Sequence, residues 1–373
     1  MKRILMGMLS LSCFLSLCFF VSAPKVMASA KAGWEGKWGE LVEAAKKEGK
    51  VMIYGFADPD LRKDLRKAFS EKYGIEPEFL SIPQGGELTA RMKKERAAGL
   101  YLADVLFIGP TTMTFQLKPA GILDTMEPLL ILPEVTDPKV WRKDYIFTDK
   151  EGMIRPLRAL FSRFAFRNSN LVKESELTSY RDLLDPKWKG KMVLCDPTIP
   201  GSGNAFVAFL NGTWGRDQTV EFLKQLVKQE PVVTNDIRLP MEWVARGKSL
   251  LAIAPRPEAL PEFLKAGAPI ATVKMIEGGL LTPGSGCIAV VNNRPHPNAA
   301  AVFINWVLSK EGLTVWSKAD GFASARLDVP TDWVPAPFVP EAGERLFVED
   351  EEAYKVRSEL MNLCKEIFGP LMK

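Results

Sequence analysis

The sequence predicts an α/β protein built as two lobes, and three observations predict it. Short apolar strands alternate with amphipathic helices along most of the chain. The 373 residues exceed what one compact core usually holds. Two such α/β sets follow each other without tandem repeat or low-complexity tract, which fits paired lobes rather than a solenoid.

The first thirty residues form a separate unit. Lys2 and Arg3 precede an uncharged apolar run from Ile4 to Val21. Ser22-Ala23-Pro24 and small residues then lead to Ala28-Ser29-Ala30, and Val26-Met27-Ala28 offers a second small-x-small site. This is the pattern of a secretory signal, with cleavage expected near Ala28 or Ala30 and export to the periplasm. A retained membrane anchor is the competing reading, since the run approaches the ~20 residues that span a bilayer. Cys13 and Cys18 lack the usual lipoprotein surroundings.

Removing residues 1–30 takes away Lys2, Arg3 and Lys25 and no acid, so 49 Lys+Arg become 46 against 45 Asp+Glu. A near-neutral body gives no electrostatic footprint for nucleic acid or an anionic membrane. Of five cysteines only Cys195, Cys287 and Cys364 remain, too few for a disulfide-built scaffold.

The first set opens with a helix over Trp38 to Glu48, closed by Gly49. Strand Val51 to Tyr54, helix Asp60 to Tyr73 and strand Glu78 to Ile82 follow. A helix over Glu87 to Ala98, a strand over Asp104 to Ile108 and a helix to about Ala120 complete the set. Strand–loop–helix units at this spacing imply a mainly parallel sheet. Residues 122–158 read as irregular and Pro-rich, and Ala159 to Phe166 as a strand. The second set has strands at Met192 to Cys195, Val232 to Thr234, Leu250 to Ala254 and Ile270 to Met275, separated by helices. Apolar Cys287 to Val291 and helices Pro297 to Leu308, Glu311 to Lys318 and Glu349 to Ile367 end the chain.

Four stretches carry a resemblance. They are Tyr101-Leu102-Ala103-Asp104-Val105, Leu117-Lys118-Pro119-Ala120-Gly121, Asp182-Leu183-Leu184-Asp185-Pro186-Lys187-Trp188-Lys189-Gly190-Lys191, and Ala300 to Gly312. The chain resembles family 1 extracellular solute-binding proteins of bacterial ABC importers, near the iron(III)-binding branch. The resemblance implies a two-lobed, type II-like periplasmic binding-protein fold with two crossover strands as hinge. Lobe 1 would be residues 33–158 plus 276–373, and lobe 2 residues 159–275, with crossings near Phe161–Phe166 and Leu280–Cys287. It also implies an importer permease, and its ATPase through the permease, as partners of a monomeric receptor without cofactor.

Ligands of open α/β sheets sit beyond the carboxyl ends of the strands. That selects Phe56 and Ala57, Gln84 and Gly85, Pro110, Thr111 and Thr112, and in the second lobe Ser202, Gly203 and Asn204. Gly and hydroxyl residues before a helix make an anion site, although simple N-capping by Thr111 or Ser202 needs no ligand. Family members meet an anion at the loop matching Ser202-Gly203-Asn204. Arg163 in the first crossing, Arg256 after a strand and Asp236 after another complete the candidate set, with ion pairing as the plain alternative for each.

The iron branch holds its metal with two adjacent tyrosines. The six tyrosines here (54, 73, 101, 145, 180 and 354) include no adjacent pair, and the single His296 lies between two prolines. No protein metal site is expected. A small, anionic organic solute is the expected cargo, with ferric iron carried by a synergistic anion as the alternative. An enzyme on the same body is the remote alternative. Gly201-Ser202-Gly203 lacks nucleophile-elbow spacing, and the chain has no His-Glu-x-x-His or Walker motif.

Overall fold

The computed structural model describes residues 24–55, 59–82, 84–142, 145–341 and 343–371. The signal segment up to residue 23, and Phe56 and Ala57, lie outside the described residues.

Among the described residues, three sheets organise the molecule. In the first, Lys50–Gly55 pairs in parallel with Glu76–Ser81 and with Val105–Ile108. Cys287–Val291 joins Val105–Ile108 antiparallel and also pairs with Leu123–Asp124 and Ile154–Pro156. In the second, Met192–Cys195 lies parallel between Leu251–Ile253 and Val232–Thr234. Ala165–Asn168 and Ile270–Thr272 add antiparallel strands beyond Leu251–Ile253. Both sheets are therefore mixed, where a mainly parallel arrangement is expected from sequence. The difference arises because strands distant in the chain pair antiparallel, Cys287–Val291 with Val105–Ile108 and Ala165–Asn168 with Leu251–Ile253, a pairing no local pattern encodes.

The third sheet is the connection between the lobes. Gly279–Thr282 runs antiparallel to Leu160–Ser162, with Leu281 opposite Phe161, and parallel to Leu346–Val348. The strand expected over Ala159 to Phe166 is broken at Arg163 and Phe164, so Leu160–Ser162 belongs to the connection and Ala165–Asn168 to the second lobe.

Local sequence explains the helices. Pro59–Tyr73 buries Leu61, Leu65, Phe69 and Tyr73, a strict four-residue spacing that lines one face. Phe69 meets Phe303 edge-on at 5.1 Å, and Phe107 meets Trp316 at 4.8 Å. Each fully buried large apolar side chain contributes about 1.5–3 kcal/mol. A second core gathers Phe164, Tyr180, Phe206 and Phe209. The helix expected to run to about Ala120 instead ends in a π-helical turn, Met113–Leu117, ahead of Pro119.

The C-terminal helix Glu351–Phe368 packs on the second core. Its Leu360, Cys364 and Phe368 share an i, i+4, i+8 face and enter the second core. Among the described residues Cys195, Cys287 and Cys364 are buried free thiols, and no helix is long and apolar enough to cross a membrane.

Candidate functional site

A cavity of about 220 Å³ opens where the three sheets meet. The first lobe supplies Pro110, Thr111 and Gly284, and the connecting strands supply Leu160, Ser162, Leu280 and Thr282. The second lobe supplies Phe164, Gly201, Ser202, Ala205, Arg256 and Pro257, and the C-terminal helix supplies Tyr354 and Arg357.

Backbone geometry aims the second-lobe loops. Strand Leu251–Ile253 ends at Ala254, whose φ of 51° lies in the left-handed region that a Cβ disfavours. Such strain costs of order 1–3 kcal/mol and persists only where the surroundings fix it. Here the Ala254 amide donates to the Phe164 carbonyl at 2.6 Å, and the chain turns to present Arg256. Gly201, at φ 156° and ψ −162°, occupies a region essentially restricted to glycine and starts helix Ser202–Trp214. The Ser202 hydroxyl donates to the Pro255 carbonyl at 3.1 Å, tying the helix start to the arginine loop.

Polar groups in the wall are left with unused capacity. Arg256 Nε, Tyr354 Oη and Arg357 Nε are buried atoms without a hydrogen-bond partner among the described residues. The Thr282 side chain, also in the wall, acts on the Tyr354 phenol in the lowering direction. Burial first, then the neighbouring Glu349 carboxylate, push the Tyr354 phenol well above its ordinary range, so it stays protonated. Arg357 pairs with Glu349, whose side chain is fully buried. Arg256 has no ion-pair partner among the described residues. The wall thus combines a positive group, neutral hydroxyls and an apolar floor of Leu160, Phe164 and Leu280.

The residues picked out from sequence divide. Pro110, Thr111, Ser202 and Arg256 line the cavity. Gln84, Gly85 and Thr112 do not; Gly85 instead packs so tightly on Thr112 that a Cβ would come 2.0 Å from its Oγ1. Gly203 lies against the strand, where a Cβ would come 2.2 Å from the Cys195 carbonyl oxygen. Asn204 is 1 % exposed and donates to the Arg357 carbonyl at 3.3 Å, so it holds the C-terminal helix rather than facing the cavity. Asp236 is exposed and accepts from the amides of Arg238 and Leu239 at 2.7 and 2.8 Å, capping a turn.

Arg163 is held elsewhere, by Glu344 and the Pro337 carbonyl. Its Nε and Nη2 donate to Glu344 at 2.8 and 2.5 Å, and its Nη1 donates to the Pro337 carbonyl at 2.9 Å. Its guanidinium is engaged inside the protein and does not line the cavity. His296 sits at the start of helix Pro297–Val307 with its Nδ1 2.8 Å from the buried Asp104 carboxylate. Tyr354 and Arg357 went unselected by sequence reasoning. Their three-residue spacing on a predicted helix puts them on one face, but nothing local says which lobe that face meets.

Comparisons with known proteins agree with this architecture. The family of bacterial extracellular solute-binding proteins matches residues 64–341. An uncharacterized protein of Haemophilus influenzae is 24 % identical over 281 residues, covering 74 % of this chain and 78 % of its own. Among solved structures, a Trichodesmium protein in complex with iron and citrate shares 20 % identity at a TM-score of 0.69, over 86 % of this chain and 99 % of that one. The Actinobacillus pleuropneumoniae periplasmic binding protein AfuA, with fructose-6-phosphate bound, shares 21 % at a TM-score of 0.61, over 87 % and 99 %. The fold is that of the two-lobed periplasmic binding proteins, and with a family match over most of its length the chain belongs to the bacterial extracellular solute-binding proteins.

Proposed function

We propose that this protein is the substrate-binding component of an ABC importer and captures a small organic anion in the cavity between its lobes. The observation that carries this reading is that Arg256, Tyr354 and Arg357, each with a buried polar atom without a hydrogen-bond partner among the described residues, line one cavity. Buried donors without partners are unfavourable, and a bound acceptor removes that cost. Arg256 supplies the positive charge beside the N-terminus of helix Ser202–Trp214, where backbone dipoles add to it. Walls from both lobes imply that hinge closure about Leu160–Ser162 and Gly279–Thr282 encloses the ligand.

The protein acts after export, with the signal removed near Ala28 or Ala30, and delivers its cargo as a monomer to a membrane permease. Its role is binding, as for the extracellular solute-binding family that matches residues 64–341. Ferric iron brought in with an oxygen-rich anion is the second reading, favoured by the iron and citrate of the Trichodesmium structure. Against it stands the donor set. Among the described residues Tyr354 is the one tyrosine of the cavity wall, and it is held protonated, whereas ferric iron prefers hard anionic oxygens.

Thermal melting of the mature protein with citrate, fructose 6-phosphate, inorganic phosphate and ferric citrate tests the proposal. A ligand at a hundredfold excess over its Kd adds about 2.7 kcal/mol to the native state. An organic anion is expected to raise the melting point without iron. A rise only when ferric ion is present would replace this reading with the second.

A further inference from the structure

Tyr354 and Arg357 reach the cavity from a helix that begins beyond residue 341, where the family match ends. They stand three residues apart, one turn of the same face. Asn204 holds the Arg357 carbonyl at 3.3 Å, and Lys118, close along the chain from Thr111, contacts Glu351 in the helix's first turn at 3.4 Å. Leu360, Cys364 and Phe368 root the helix in the second core, so its cavity-lining pair moves with the second lobe.

The chemistry of this pair differs from that of Arg256. The Glu349 carboxylate offsets the charge of Arg357, and burial keeps Tyr354 a neutral phenol. What the helix offers is directional hydrogen bonding with little net charge. Tyr354 is 2 % exposed, and its hydroxyl has no partner among the described residues. Such a pair suits a hydroxyl or carbonyl oxygen rather than a second full negative charge.

We propose that helix Glu351–Phe368 is a specificity element, in which Tyr354 and Arg357 bind oxygens on the organic body of a ligand whose anionic group is held by Arg256. This rests on the anion-binding reading of the cavity. The substrate class it names is a hydroxylated or keto organic anion, such as a sugar phosphate or hydroxy acid, in preference to a bare oxyanion. A site whose hydrogen-bonding groups are buried rejects ligands that leave them unpaired.

Isothermal titration of the mature protein with fructose 6-phosphate, citrate and inorganic phosphate is the test, on the wild type, Tyr354→Phe, Arg357→Lys and Arg256→Gln. The wild type is expected to prefer one of the two organic anions over phosphate. Tyr354→Phe is expected to reduce that preference about tenfold, the loss of one well-placed hydrogen bond. Arg357→Lys, which keeps the charge but not the planar donor set, is expected to reduce it as well. Arg256→Gln is expected to weaken every anion. Unchanged preference in both helix variants, with intact melting curves, would overturn the specificity proposal and leave anion binding standing. Tighter binding of phosphate than of either organic anion by the wild type would also overturn it. No anion binding by the wild type would remove the underlying reading itself.

Discussion

Arg163 and Glu344 form a two-pronged ion pair in the interior, Nε to Oε1 at 2.8 Å and Nη2 to Oε2 at 2.5 Å, with side-chain exposures of 4 % and 2 %. The pair joins the break between Leu160–Ser162 and Ala165–Asn168 to the segment after Phe338, 181 residues away. Removing the arginine leaves a carboxylate buried without its counter-charge. Arg163→Ala is therefore expected to destabilise the fold by about 3–5 kcal/mol. Denaturant titration followed by tryptophan fluorescence checks it; a loss below 1 kcal/mol would mean that water reaches Glu344.

Arg256 behaves oppositely. It has no ion-pair partner to abandon among the described residues, so Arg256→Gln is expected to change the melting point little. Anion affinity is expected to fall roughly tenfold to a hundredfold, since hydrogen bonds to a charged group are worth about 1.5–3 kcal/mol. Titration calorimetry at two salt concentrations separates this contact from general attraction. Equal affinity in the two proteins would remove Arg256 from the site.

Gly203 has a structural task. A Cβ there would stand 2.2 Å from the Cys195 carbonyl oxygen and 2.6 Å from that of Asp196, both backbone atoms that cannot swing away. Gly203→Ala is expected to push helix Ser202–Trp214 off its strand and cost about 1–3 kcal/mol. The denaturation midpoint measures this, and an unchanged midpoint would show that the helix shifts freely.

Asp236 titrates in a predictable direction. Hydrogen bonds from the amides of Leu239 and Arg238 hold its carboxyl below its ordinary 3.8. Its native pKa is depressed, so its contribution is present above pH 3.8 and is lost as pH falls through the lower native value. Asp236→Ala is expected to be less stable than wild type at pH 7, with the gap narrowing below pH 4 and ligand affinity unchanged. Denaturation midpoints of both proteins across that range provide the check. A gap independent of pH would mean that the side chain acts through packing instead.

Periodicity made the elements legible. The i, i+4 face of Pro59–Tyr73 and the apolar runs Val51–Tyr54, Val105–Ile108 and Cys287–Val291 fold as their patterns dictate, because burial of one face is a local property. Gly-rich loops at strand ends likewise led to Thr111 and Ser202, and the residue after a strand to Arg256. Local pattern could not say where a side chain turns once the chain is packed. Gly203 and Asn204 follow Ser202 directly, yet the helix rotates them away from the cavity onto a strand and onto another helix.

The sequence by itself determined the α/β alternation, the family resemblance and the loops at Thr111 and Ser202 that line the cavity. Only the tertiary structure decided that Glu344 claims Arg163, that Asn204 grips the C-terminal helix, and that Tyr354 and Arg357 meet Ser202 across some 150 residues of chain. The physical reason is range. Helix and strand patterns are set by neighbours within a few residues, whereas a charge finds its partner, and a cavity its walls, through contacts that exist only after the lobes have packed.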